Sequence, residues 1–594
     1  MIASFAGVVM GFGTLIFLIT MLVIGISKCS SSSDEGESGT ADVKPNSVIR
    51  ISLDQELPEL TDNVASQGSF SLEDSGTPGL RATIKALEYA KTDSDIKGIY
   101  MDLETQPMGA ATRSSLRNAL LDFKKSGKFI IAYSTRYSQG SYYMASVADK
   151  VYLNPQGSIE WAGIAAQIPF FKGMFDKLGI SAQVYYAGKF KSATEPFRRT
   201  EMSSENKVQV REYMEANYQM MLSDIAASRK MEYSELRHLA DEFIIRTPYD
   251  ALSHKMVDGL KYKDEILTEL RKLLKLTKKD KINSIELADY VLANPEKAGS
   301  GDGEIALVYA EGSITDGKSD GGGIGGDTYS ALFRKLREDE DVKAIVLRVN
   351  SGGGSALASE LMWRELELCK QEKKTVIVSM GDVAASGGYY IAANADKIFA
   401  ENNTITGSIG VFGMIPNAGK FMREKLGITY DTLKTGKYSV AAQRNIYYEF
   451  NESEGAIIQQ MIDSTYHNFL TRVANGRKMT VEQVNEIAQG RVWTGKKALE
   501  LHLVDSIGGL QDAINTAATF SKLKKYKLAQ YPKPKKPLEI LLNKLKGGTS
   551  GDDAAKAIIR QQLGDELFQQ FLLLERVRKM SGVQMRMPFE VILN

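Results

Sequence analysis

Ala344-Ile345-Val346-Leu347-Arg348-Val349 runs into Asn350-Ser351-Gly352-Gly353-Gly354-Ser355, and a helical pattern follows over residues 356–371. A short run rich in Val and Ile, a glycine turn and a helix start read as strand, turn and helix. Such a turn aims backbone N–H groups at one point, aided by the helix N-terminus, and can hold the oxyanion of an acyl-transfer intermediate. The next apolar run, residues 375–379, passes through Gly381 to Ala384-Ala385-Ser386-Gly387-Gly388, after which residues 387–395 look helical. Ser386 thus sits at a second strand-to-helix turn, close to free N–H donors. Its setting is not the Gly-x-Ser-x-Gly elbow, so hydrolases of that class are not indicated.

The same order of residues occurs twice along the chain. Asp95-Ile96-Lys97-Gly98-Ile99 falls on Asp341-Val342-Lys343-Ala344-Ile345, and Tyr142-Tyr143 on Tyr389-Tyr390. Further on, Asp149-Lys150 falls on Asp396-Lys397, Lys177-Leu178-Gly179-Ile180 on Lys425-Leu426-Gly427-Ile428, and Arg229-Lys230-Met231 on Arg477-Lys478-Met479. The period is several times the roughly 20 to 50 residues of solenoid arrays, which makes this a duplicated domain. Strands alternating with helices in each copy predict an α/β fold of ββα-type units, with long peripheral helices over residues 204–229 and 452–475.

The copies keep different reactive residues. Where the second has Ser386 the first has Gln139, and where the first has Lys191 the second has Ser439. A serine hydroxyl is a weak nucleophile at neutral pH and needs a neighbour to take its proton. A lysine can do so once burial has lowered its pKa toward the working pH. The complementary losses point to a serine in the second copy served by a lysine from the first. Lys189 competes with Lys191 for that role, and spacing does not choose between them, since residues two apart share a face only if the segment is extended. Lys189 matches Lys437 in the second copy, which marks it as the shared, structural lysine.

Four motifs in order, Lys191-Ser192-Ala193-Thr194-Glu195-Pro196-Phe197, Asn350 to Ser355, Ala384-Ala385-Ser386-Gly387-Gly388-Tyr389 and Thr406-Gly407-Ser408-Ile409-Gly410, resemble the long form of bacterial signal peptide peptidase A, also called protease IV. The resemblance covers residues 48–510 and includes the duplication. It implies a Ser/Lys-dyad peptidase on tandem Clp-protease-like, crotonase-type domains, with Ser386 as nucleophile and Lys191 as general base. It further implies Gly354 and Gly387 as oxyanion donors and Ser408 as a residue positioning the lysine. Bowl-like homo-oligomers, tetrameric by the same resemblance, would admit only extended peptides such as remnant signal peptides. One departure is Gly352, where the family usually has proline. It loosens the oxyanion turn but removes no donor, because proline has no N–H.

Other chemistries find less support. The four histidines, His238, His254, His467 and His502, show no ligand-like spacing, and His467 reads as a helix-surface residue. Cys29 and Cys369 form no Cys-x-x-Cys pattern, so neither a metal nor a disulfide framework is expected, and no cofactor. Residues 321–326 are glycine-rich but lack the Gly-Lys-[Ser/Thr] ending of a phosphate loop, and are expected to be a mobile loop. With 43% hydrophobic residues and a net charge of +1, the chain can build large cores and shows no bias toward nucleic acid.

Residues 2–26 carry no charged side chain and are long enough to cross a hydrocarbon core, and the basic n-region of a cleaved signal peptide is missing. The expected organisation is a transmembrane anchor at 2–26, a flexible tether at 27–46, a base-supplying repeat at 47–300, a serine-supplying repeat at 301–530 and a helical extension at 531–594. Charge leaves the orientation open, since Lys28 alone would place its side weakly in the cytoplasm. The resemblance places the catalytic body outside the cytoplasm, on a single-pass anchor in the bacterial inner membrane. Two alternative functions are an inactive, membrane-anchored peptide-binding scaffold, which would lose the dyad, and a crotonase-like acyl-CoA enzyme, which would be soluble and commonly use carboxylates. A serine-reactive probe separates the first and acyl-CoA binding the second.

Overall fold

The computed structural model describes residues 43–53, 56–61, 77–104, 107–296, 298–319, 323–443, 445–533 and 583–587. The expected membrane span, residues 2–26, lies outside them; among the described residues no helix is long and apolar enough to cross a membrane.

The duplication is visible as two sheets with one strand order. In the first repeat the order is Asn283–Glu286, Ser47–Ile51, Ile96–Asp102, Phe129–Tyr137, Lys150–Ile159 and Gly259–Leu260, all parallel. In the second it is Lys527–Tyr531, Glu304–Glu311, Val342–Ser351, Thr375–Ala385, Lys397–Ala400 and Ser506–Ile507, again parallel. Sheets covered by helices on both faces need strands that are apolar throughout. Within Glu304–Glu311, residues 305–310 meet that demand, each apolar and buried.

The repeated residue pairs hold equivalent joints. Asp149 accepts the Ile130 N–H at 2.9 Å and Asp396 accepts the Val376 N–H at 2.8 Å, each tying the start of one strand to the next. The buried hydroxyls of Tyr142 and Tyr389 donate to the carbonyls of Met256 and Leu503. Lys230 and Lys478 end the paired long helices, Ser204–Arg229 and Glu452–Arg477, in the left-handed conformation.

The repeats are interlocked. A third sheet takes Ser181–Ala187 from the first repeat and pairs it antiparallel with Val411–Asn417 of the second. It continues through Gln584–Arg586, Gly353–Ser355, Ile314–Thr315 and Ile324–Gly325. Two expectations change here. Ile324–Gly325 is a short strand and Gly326 opens the helix Gly326–Glu338, so the described part of the glycine-rich stretch is structured, its Ile324 side chain buried in the core. The extension at 531–594 was expected to be helical; residues 534–582 and 588–594 lie outside the described residues, while Gln584–Arg586 is a strand flanked by two strand edges.

Asp382 adds a polar lock. It lies on Thr375–Ala385, just upstream of Ser386, and accepts the N–H groups of Ala111 (2.7 Å) and Thr112 (2.9 Å) and the Thr112 hydroxyl (2.5 Å). A carboxylate from one repeat thereby caps the helix Ala110–Lys124 of the other, where Gly109 offers no side chain of its own. Asp382→Ala is expected to lower unfolding stability by about 1–2 kcal/mol, measured by denaturant titration.

Candidate active site

Ser386 follows the long strand Thr375–Ala385 and precedes the helix Gly387–Ala392, with φ 56° and ψ −115°. A non-glycine residue in that conformation is strained, and its neighbours fix it there. Its N–H donates to the Gly407 carbonyl at 2.8 Å and its carbonyl accepts the Tyr390 N–H at 2.8 Å. The side chain is fully buried.

Lys191 arrives from the first repeat, on the loop that follows Ser181–Ala187. Its Nζ lies 2.8 Å from Ser386 Oγ and 3.0 Å from both the carbonyl oxygen and the hydroxyl of Ser408. Only 1% of the residue is exposed, and burial drives its pKa well below the ordinary lysine value, with no carboxylate among the described residues opposing the shift. Lys189, the competitor, is exposed with its ammonium over the Phe190 ring, and Lys437 in the second repeat likewise lies over Tyr438. Ser439 opens the short helix Ser439–Gln443.

Gly354 and Gly387 converge beside the serine: a Cβ placed on Gly387 would lie 3.2 Å from the Gly354 nitrogen. Gly353 between them adopts φ +94°, and a Cβ there would sit 2.6 Å from the Gly387 nitrogen, so the turn tolerates no side chain. Gly352 does not share this restriction, and a Cβ on it would make only ordinary contact with Met587. At the corresponding turn of the first repeat, Gln139 is buried, with its amide bonded to the backbone of Gly163 on both sides.

The residues holding the lysine loop carry no motif and were not singled out from sequence. Gln209, on the helix Ser204–Arg229, donates to the Phe190 carbonyl and the Ser192 hydroxyl and accepts the Val492 N–H from the other repeat. Asn206 joins Ser192 to Glu195. From the second repeat, Gln489 accepts the Phe190 N–H at 2.8 Å, and Gly490, at φ +76°, packs against the lysine backbone. A Cβ on Gly490 would fall 2.7 Å from the Lys191 nitrogen and Cβ. Gly490→Ala is therefore expected to shift the amine and lower kcat by about 10²-fold, with a smaller change in KM, measured by steady-state peptide hydrolysis.

The model of Peptidase family S49 matches residues 122–277 and again 369–524. Protease 4 of Salmonella typhi is 37% identical over 475 residues, covering 78% of this chain and 75% of that protein. Protease 4 of Haemophilus influenzae is 37% identical over 73% of this chain and 71% of its own. Serine protease SPPA, chloroplastic, of Arabidopsis thaliana is 32% identical over 83% and 74%. A solved chain of a ClpP1 mutant from Listeria monocytogenes covers 35% of this chain at 16% identity and a TM-score of 0.24, a value that carries no argument. A twice-matched family model and relatives aligned over most of their length show that this chain is a serine peptidase belonging to Peptidase family S49, in its duplicated long form.

Proposed function

We propose that the chain is a membrane-anchored serine endopeptidase whose Ser/Lys dyad is divided between its repeats and which degrades apolar peptides such as cleaved signal peptides. The observation that carries this reading is the Lys191 amine, fully enclosed and 2.8 Å from Ser386 Oγ. A neutral amine has two N–H groups and one lone pair. Donating to the carbonyl and hydroxyl of Ser408 uses both N–H groups and leaves the lone pair for the serine proton. Ser386 Oγ then attacks the peptide carbonyl, and the N–H groups of Gly354 and Gly387 stabilise the oxyanion. Lys191 returns the proton to the leaving amine, and water, activated by the same amine, hydrolyses the acyl ester.

The signal-peptide role is supported by the relatives' names, which include a putative signal peptide peptidase SppA of Enterococcus faecium, 37% identical over 34% of this chain. The uncharged stretch at 2–26 supports an anchor in the bacterial inner membrane, with the catalytic body on the extracytoplasmic side. Assembly as a homo-oligomer is supported by the repeat geometry. Ser181–Ala187 finds its partner in Val411–Asn417, while the counterparts of these strands, residues 429–435 and 164–170, are in no sheet. Pairing them between copies would join chains head to tail.

The test is hydrolysis of a fluorogenic apolar peptide by the detergent-solubilised full chain, with a serine-reactive probe mapped by mass spectrometry. Turnover with the probe on Ser386 is expected. A folded protein that neither turns over nor labels would overturn the reading.

A further inference from the structure

The turn that carries the Gly354 N–H has little stiffness of its own. Gly352-Gly353-Gly354 is three glycines in a row, Gly353 stands at φ +94°, and glycine moves between backbone conformations more freely than any other residue. An oxyanion donor works only if it is fixed before the charge appears, so the stiffness has to come from what flanks the turn. Upstream, the Ser351 hydroxyl accepts the Gly353 N–H at 3.1 Å. Alongside, Ile314 pairs with Gly354, with no room for a Cβ between the two backbones. Downstream, the buried Ser355 caps the helix Ala356–Gln371, its hydroxyl accepting the Ala358 N–H at 3.2 Å.

Ser355 has a second partner. Its hydroxyl donates to a carboxylate oxygen of Asp316, the residue that follows Ile314–Thr315. A capping serine needs only to accept a bond, which leaves its proton free to rotate. Here a carboxylate takes that proton, in a charge-assisted bond about twice as strong as a neutral one. Asp316 is held on both sides, by the strand before it and by Gly317, whose carbonyl accepts the Asp327 N–H at 2.9 Å. The line of bonds reaches the other oxyanion donor as well. The Ser359 hydroxyl donates to the Ser355 carbonyl at 2.8 Å, and a Cβ on Gly387 would lie 2.8 Å from that hydroxyl oxygen.

The first repeat is an internal control. Gly109 stands at the counterpart of Ser355, and the helix it precedes is capped from the other repeat by Asp382. Arg113 stands at the counterpart of Ser359, and a Cβ on Gly140, the counterpart of Gly387, would lie 2.8 Å from its guanidinium carbon. The copy without the nucleophile is thus also without both hydroxyls. A hydroxyl needed only to start a helix would be as useful in either copy.

We propose that Asp316 and Ser355 are a positioning pair for the oxyanion site: the Asp316 carboxylate fixes the Ser355 hydroxyl and, through the backbone of Ser355, holds the Gly354 N–H in the orientation that receives the developing charge. This rests on the peptidase reading. The pair acts on kcat and not on KM, because the oxyanion is absent from the bound substrate and forms only on the way through the transition state.

The experiment measures kcat, KM and the pH profile of the full-length wild type, Asp316→Ala, Asp316→Asn, Ser355→Ala and the double alanine variant on a fluorogenic apolar peptide, with the fold of each checked by circular dichroism. Asp316→Ala and Ser355→Ala are each expected to lower kcat about tenfold or more at nearly unchanged KM. The double variant is expected to be no worse than Ser355→Ala, since both changes break one bond. Asp316→Asn keeps an oxygen acceptor and is expected to recover most of the lost rate. The acid limb set by Lys191 is expected to stay in place in all of them. A folded Asp316→Ala protein with wild-type kcat overturns the proposal and leaves Ser355 an ordinary helix cap. A loss carried wholly by KM overturns it too. So does a loss in Asp316→Asn equal to that in Asp316→Ala, which would make Asp316 a charge beside the helix and no holder of the hydroxyl. Absence of turnover in the wild type overturns the peptidase reading itself and takes this proposal with it.

Discussion

Ser386→Ala and Lys191→Ala are each expected to lower kcat by about 10⁴-fold or more, and the double variant to be no worse than either alone. Groups that act as one unit are non-additive: once the nucleophile or its base is gone, the other contributes nothing to the same step. Lys191→Arg is expected to be equally inactive, because a guanidinium stays charged and has no lone pair to offer. Lys189→Ala is expected to keep wild-type turnover, since that side chain is exposed, with its ammonium over the Phe190 ring. The pH dependence follows from the direction of the lysine shift. In the proposed mechanism the working form is the neutral amine, so activity is expected to be lost as pH falls through the Lys191 pKa. Burial lowers that pKa well below 10.5, which moves the acid limb of the kcat profile to well below 10.5. Ser408→Ala removes one of the two groups holding the amine and is expected to displace that limb, with the Lys191 N–H to the Ser408 carbonyl remaining. An active, folded Lys191→Ala protein, or an acid limb at an ordinary lysine value, would remove the dyad from the mechanism. Rates for each variant at several pH values, with folding checked by circular dichroism, decide between these outcomes.

The sequence carried the parts of this molecule that depend on local chemistry. Residues 356–371 and 204–229 were legible as helices because their apolar periodicity and caps are local, and both form with those bounds. The strand-turn-helix around Gly352 to Ser355 was legible for the same reason. Lys191 was legible as a partner for Ser386 because the duplication showed what each copy had lost. What holds these groups was not legible, since it lies in contacts between segments hundreds of residues apart. Gln209 reads as an ordinary helix residue until the fold places it between Ser192 and Val492. Asp382 reads as a polar residue in a strand until Gly109 leaves room for it at another helix's N-terminus. Val583 to Met587 carries no turn or motif signal, and its strand conformation is imposed by the two edges between which it lies. The same reasoning explains the glycine-rich stretch: composition marks a loop, while burial of Ile324 makes part of it strand and helix start.

Glu59→Ala is expected to destabilise the protein by about 3–5 kcal/mol, the cost of leaving a buried charge without its partner. Arg348 is 2% exposed and Glu59 3%, and the Arg348 Nε donates to a Glu59 oxygen at 2.9 Å. The other end of the guanidinium donates to the Ser379 hydroxyl at 2.9 Å and the Met380 carbonyl at 2.8 Å. Arg348 thereby fastens the strand leading to the Gly352–Gly354 turn to the strand leading to Ser386, while Glu59 reaches in from the first repeat. Glu311 stands beside this pair, accepting the Glu59 N–H, and burial together with the Glu59 charge pushes its pKa up to about 7. A carboxyl whose folded pKa is raised above its unfolded value adds stability below the unfolded value and loses it as pH rises through the folded one. In the wild type, stability drawn from Glu311 is therefore present below about pH 4.5 and lost on the way to about pH 7. Removing Glu59 reverses that balance. Without the repulsion of a second carboxylate and with Arg348 unpaired, Glu311 ionises more readily and becomes the arginine's counterion. The penalty of Glu59→Ala is accordingly expected to be larger at pH 5.5 than at pH 8.5, in urea unfolding of both proteins at each pH. Equal penalties at the two pH values would mean that Glu311 does not take over the charge. A penalty below about 1 kcal/mol at both would mean that the pair is solvated and adds little to the joint between the strand leading to the Gly352–Gly354 turn and the strand leading to Ser386.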